Sequence, residues 1–108
     1  MERINFRIQL NEGFKEEYEK RHNPVWEELE SQFLNNGVIE YNIFMDDDTN
    51  EIFGVITVES KQHWEEIGKS DVVARWRKHM DPIFAKNADG SVKMTRMREV
   101  FHIMKKNS

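Results

Sequence analysis

The chain has 108 residues, is 38% hydrophobic and 33% charged, and carries a net charge of −4 with a pI near 5.6 and no cysteine. That length supports one domain, and the acidic balance argues against nucleic acid or an anionic membrane as partner. The lack of cysteine excludes disulfides, thiol nucleophiles, Cys-ligated zinc and iron–sulfur clusters, and no run approaches the roughly 20 apolar residues of a bilayer span.

Ile4, Phe6, Ile8 and Leu10 alternate with polar residues, the period-2 signature of a half-buried strand. The opening Met-Glu-Arg-Ile-Asn-Phe holds no signal-peptide apolar region, so a cytoplasmic protein is expected. From Asn11 the period changes. Phe14, Tyr18, Arg21, His22, Val25, Leu29 and Phe33 mark one helical face, broken at Pro24 and ended by Asn36-Gly37. Proline cannot continue a helix through its own position, so residues 18 to 26 read as the end of one helix and the start of another. Asn23 suits an N-cap, with Pro24 at the first helical position. Tyr18 and His22 then share a face at i, i+4, with His22 in a last turn whose unpaired carbonyls favour an imidazolium. A phenol, a histidine and an indole at a kink can hold and protonate a small polar ligand. On residue types alone, a histidine with a tyrosine one turn away is more often an ordinary half-buried surface pair.

Ile39, Tyr41, Ile43 and Met45 alternate in a second strand, Asp46 to Asn50 is a turn, and Ile52 to Val58 is a β-branched third strand, so the pair reads as a hairpin. Asp46, Asp48 and Asn50 imitate a calcium loop, but Glu51 replaces its turn glycine and Thr57 its bidentate Glu. Ser60 caps a short helix bearing Trp64 and Ile67, and Ser70-Asp71 restarts one with Val72, Val73, Trp76 and Met80, stopped near Asp81-Pro82. Trp76 at helical spacing fits the core as well as a sugar-stacking surface, and Tyr41 fits a cross-strand packing position. Residues 87 to 91 are loop. A last strand is expected from Met94 to Met104, apolar on both faces, so that each face is covered, one by a partner chain.

The order β-α-β-β-α-β with helices on one sheet face is a ferredoxin-like α+β unit. It would occupy residues 1 to 104, ahead of a polar C-terminal tail over residues 105 to 108. Such a sheet leaves its second face wet in a monomer, and a dimeric α+β barrel is the expected remedy. The four histidines have no zinc spacing, and neither a glycine-rich phosphate loop nor a nucleophile elbow is present.

Tyr18, Arg21-His22-Asn23-Pro24 with Trp26, Glu28 and Leu29, Tyr41, the Asp71-Val72 to Trp76 segment, and Glu99-Val100-Phe101 together resemble the L-rhamnose mutarotase family over residues 1 to 103. The resemblance implies a homodimer acting on a monosaccharide without metal or other cofactor. It implies His22 as catalytic proton donor, with Tyr18, Tyr41 and Trp76 as sugar contacts. The family often carries a Trp-Trp pair where this chain has Trp76-Arg77, and the Arg77 fork can donate to vicinal hydroxyls. Two other readings have distinct signatures: a dimeric-barrel monooxygenase or haem-degrading enzyme, pointed to by Asn5, Trp64 and a histidine, and a non-catalytic sugar-binding dimer.

Overall fold

The computed structural model describes residues 1–105, so most of the expected polar tail, residues 106 to 108, lies outside the described residues. Strand β1 (Glu2–Gln9) leads into helices α1 (Lys15–Arg21) and α2 (Glu27–Leu34). The hairpin β2 (Val38–Asp46) and β3 (Glu51–Val58) follows, then α3 (Lys61–Gly68), α4 (Asp71–Met80), a 3₁₀ turn at Asp81–Ile83 and β4 (Met94–Thr95). The sheet order β2-β3-β1-β4, with the pairs β2·β3, β1·β3 and β1·β4 antiparallel, is the ferredoxin-like arrangement that the alternating and helical periods predict.

Register explains which side chains meet. Ile4, Ile56 and Tyr41 form one cross-strand row, Ile8, Ile52 and Met45 another, all on the helix-covered face. Between them Phe6 pairs with Gly54, and a Cβ at Gly54 would stand 2.2 Å from the Phe6 ring, so the ring occupies the space that glycine leaves. One buried cluster gathers Ile4, Leu29, Val38, Ile56, Val58, Ile67, Val72 and Val73. A second gathers Ile8, Leu10, Tyr18, Ile52, Met80 and Ile83. Phe6 and Trp76 pack against both and join them.

Three expectations need correction. Ile39 does not face inward with Tyr41: Val38 pairs with Val58 and Glu40 with Thr57, so a bulge turns Val38 into the core and leaves Ile39 50% exposed. Helix α2 begins at Glu27 with Trp26 at the cap position, not at Pro24, and the Asn23–Pro24 peptide bond is cis. Asn23 instead turns back, its Nδ2 donating to the Glu19 carbonyl at 2.8 Å to close the end of α1. The last strand is not Met94 to Met104 but two residues long. Two residues back along β1 from Arg7, the Asn5 side chain takes the backbone's place, donating to Met97 O (2.9 Å) and accepting from Met97 N (2.7 Å). Arg3 holds Glu99 at 2.6 Å one step further, and then Val100, Phe101 and Ile103 stand 77–80% exposed.

The remaining elements follow their local signals. Ser60 Oγ accepts from His63 N at the start of α3. The Asp46 carboxylate accepts from the amides of Asp48 and Thr49, and Asn50 sits at φ 61, so the acidic run builds a hairpin turn. Among the described residues, no helix is long and apolar enough to cross a membrane.

Candidate active site

Helix α1 is short because its first turn lacks a side-chain cap and its last is closed by three devices in succession. The amide of His22 donates to Glu19 O, Asn23 covers the same carbonyl from its side chain, and the imidazole of His22 folds back on the carbonyl of Tyr18, Nδ1 to O 2.8 Å. A carbonyl oxygen only accepts, so Nδ1 carries the proton and Nε2 is the nitrogen left for chemistry. This side-chain closure is a local consequence of helix ends, where the last carbonyls lack intrahelical donors.

The ring then stands between two aromatic walls. Tyr18 lies beneath it, centroids 4.4 Å apart and inclined by 33°, and Trp76 of α4 meets it edge-on at 5.3 Å and 88°. Trp26 crosses Trp76 at 5.0 Å, and His79 packs on Trp26 at 5.2 Å and on Trp76 at 5.7 Å. Tyr18 is buried against Phe84 and the second core cluster. Burial moves the His22 pKa below its ordinary value, outweighing the upward pull of the Tyr18 carbonyl. The helix end is therefore where the sequence places it, but desolvation reverses its effect: neutral imidazole is the favoured form, not imidazolium.

Tyr18, His22 and Trp76 are thus brought into one corner. Tyr41 is not in direct ring contact with them; it packs on Phe33, Trp64 and Phe6 in the adjoining cluster. Its phenol and that of Tyr18 are close enough for their charges to interact, and burial raises both pKa values, so both phenols stay protonated across the neutral range. Arg77, exposed on α4, donates from Nη1 to Gly68 O at 3.1 Å, and its charge opposes part of the rise at Tyr41. His79 and Trp26 complete the aromatic corner beyond what the residue pattern singled out as sugar contacts, although Trp76 and His79 at i, i+3 on one helix face carried the signal. Among the described residues, no three His, Cys, Asp or Glu side chains converge as a metal-ligand set. Asn5 and Trp64, the residues suggestive of haem chemistry, are occupied structurally, Asn5 by Met97 and Trp64 stacked on Phe33 at 5.9 Å.

A four-stranded antiparallel sheet backed by helices, with a histidine of fixed tautomer between a phenol and an indole, defines a small α+β protein suited to proton transfer on a polar ring. The family model described as L-rhamnose mutarotase matches residues 3–103. L-rhamnose mutarotase of Citrobacter koseri is 39% identical over 103 residues, covering 95% of this chain and 99% of that protein. The crystal structure of L-rhamnose mutarotase from Formosa agariphila superposes with a TM-score of 0.80 at 34% identity, covering 96% of this chain and all of that one (100%). The chain belongs to the L-rhamnose mutarotase family. An antibiotic biosynthesis monooxygenase superposes with a TM-score of 0.64 at 7% identity, covering 91% of this chain and 97% of that one, a likeness of fold alone.

Proposed function

We propose that this protein is an isomerase that interconverts the α and β anomers of L-rhamnose, with His22 as the proton-transfer group. The observation that carries the assignment is the 2.8 Å bond from His22 Nδ1 to Tyr18 O, which leaves one defined nitrogen, Nε2, on a ring that meets the indole of Trp76 edge-on. Mutarotation requires the ring oxygen to gain a proton while the anomeric hydroxyl loses one. The open aldehyde then turns about C1–C2 and closes with the roles reversed. The bond from C1 to the ring oxygen breaks and re-forms with no net oxidation or reduction, so the reaction needs no electron carrier.

In its imidazolium form His22 delivers the Nε2 proton to the ring oxygen while a water molecule takes up the proton of the anomeric hydroxyl, and both protons return on closure. Each well-placed acid–base group is worth roughly 10²–10⁴-fold. The depressed pKa makes the protonated ring a stronger acid but a scarcer one near neutrality. Tyr18 and Tyr41, held protonated, bind sugar hydroxyls and do not serve as bases. Trp76 offers an apolar face to the C–H side of the ring or its C6 methyl, and Arg77 donates to hydroxyls at the rim.

The same reading makes the protein a cytoplasmic homodimer. The exposed apolar stretch Val100, Phe101 and Ile103, set alongside an uncovered sheet face bearing Phe44 at 62% exposure, supports burial against a second copy. The absence of cysteine suits a reducing compartment. Saturation-transfer NMR on L-rhamnose tests the proposal directly. Anomer cross-peaks that the protein accelerates are expected, together with their loss in His22→Ala; ligand binding without accelerated exchange identifies a sugar-binding protein instead. The same experiment over a panel of 6-deoxy and ordinary hexoses reads the sugar preference.

A further inference from the structure

Helix α1 has seven residues and one buried side chain, Tyr18. A helix this short is not stable on its own, and tertiary contacts must hold its end in place. That end is the part that carries His22. It lies beside the last turn of α4, the helix that carries Trp76 in its middle, so two carbonyl-rich C-termini come close, each equivalent to about half a negative charge. Left alone, the two ends would repel.

Arg21 lies between them. Its Nη1 donates to the carbonyl of His79 in the last turn of α4 at 2.6 Å, and its Nε donates to Glu17 Oε1 of its own helix at 2.8 Å. The His79 carbonyl is one of the orphans of a helix end, and a charged donor on it is among the stronger hydrogen bonds a helix terminus can receive. Glu17 is held well ionised by the same guanidinium. The side chain is half-buried, as a strap between two packed elements would be. Asn23 and the His22 ring, by contrast, close α1 onto itself. Among the described residues, Arg21 makes the side-chain hydrogen bond that links the last turn of α1 to α4.

We propose that Arg21 is a positioning residue: it straps the last turn of α1 to the last turn of α4 and so sets the His22 ring against Trp76. This rests on the assignment of His22 above. Lysine, a single point donor, cannot hold both partners in one plane. Misplacing a catalytic group by about 1 Å can cost on the order of 10²-fold in rate.

The test is a double-mutant cycle read by anomer exchange on L-rhamnose, with kcat and KM measured separately and folding followed by circular dichroism. Arg21→Met is expected to lower kcat about 10-fold or more with a smaller change in KM, because the strap acts on geometry at the reacting atom. In the His22→Ala background the same change is expected to cost less than about 2-fold, since the group it positions is gone. Arg21→Lys, which keeps the charge, is expected to fall between Arg21→Met and the native chain, and it replaces Arg21→Met in the cycle if that variant does not fold. Equal losses in both backgrounds, or no loss in the presence of His22, overturn the positioning role while leaving His22 as the proton-transfer group. Near-native exchange in His22→Ala itself overturns the earlier assignment, and the strap with it.

Discussion

The two faces of the sheet are built from the same four strands and reach opposite ends. On the helix side, Ile4, Ile8, Ile52, Ile56 and Val58 are buried by elements of their own chain, and the His22–Trp76 corner packs against that closed layer. On the other side, Asn5 and Arg3 reach out to a single extended segment, and the apolar residues beyond it remain exposed. The contrast teaches that intrachain packing places the proposed proton-transfer group, whereas the chain's own described residues leave the other face open, the face to which the proposed dimer is assigned.

The sharpest way to break this division is His22→Ala. If the proposed role of His22 holds, anomer exchange should fall by about 10²-fold or more, with the thermal midpoint moved by only a few degrees. A large fall in stability without a fall in rate per folded molecule would relocate the chemistry. Next comes the closed layer itself. Ile56→Ala should cost about 2–5 kcal/mol in urea unfolding, since a fully buried side chain leaves a cavity, whereas Asn42→Ala on the open face should stay within about 0.5 kcal/mol. Comparable losses at both sites would erase the distinction between the faces.

The open side is tested by Phe101→Asp. Burying a phenylalanine contributes about 1.5–3 kcal/mol, so this variant should shift sedimentation toward a monomer at micromolar protein while leaving far-ultraviolet circular dichroism unchanged. A native chain that already sediments as a monomer would remove the assembly argument. The smallest effect is on pH dependence. The folded pKa of His22 lies below its unfolded value, so between the two the unfolded chain binds more protons and stability rises with pH. The contribution is fully present above the unfolded value near 6.5 and is lost as pH falls through the folded one. His22→Gln should flatten that slope in denaturant titrations at a series of pH values. In the native enzyme the His22-dependent rate should instead rise as pH falls toward the depressed pKa; a rate that falls there would make neutral His22 a base on the anomeric hydroxyl.

What is legible in the sequence divides along physical lines. Alternation locates β1 and the hairpin, Ser60 and Ser70 mark the starts of α3 and α4 although only Ser60 caps through its side chain, and Pro24 marks the break, because these are local choices of a few adjacent residues. The bulge at Ile39 was not legible: it depends on how Val38 and Glu40 register with Val58 and Thr57, a relation between two distant strands. The truncation of β4 escaped for the same reason, since nothing near Met97 announces that Asn5 will take its backbone groups. At the site, the i, i+4 spacing placed Tyr18 beside His22, but the sign of the pKa shift did not follow from the helix end. It depends on how much water Trp76 and the rest of the corner exclude, which is a property of tertiary packing.

The bond between His22 and the Tyr18 carbonyl has one more consequence. With Nδ1 committed to the backbone, the ring has a single working valence, so the proposed donor on opening and the acceptor on closing are one atom. The proton that leaves for the ring oxygen returns along the same line when that oxygen attacks the other face of the aldehyde. The residue therefore finishes each full cycle as it began, and the turnover needs no separate step to recharge it from solvent. A sugar may enter as either anomer and meet an identical host. For a catalyst whose only task is to hasten an equilibrium in both directions, that symmetry in time is supplied by one backbone oxygen in the last turn of a seven-residue helix.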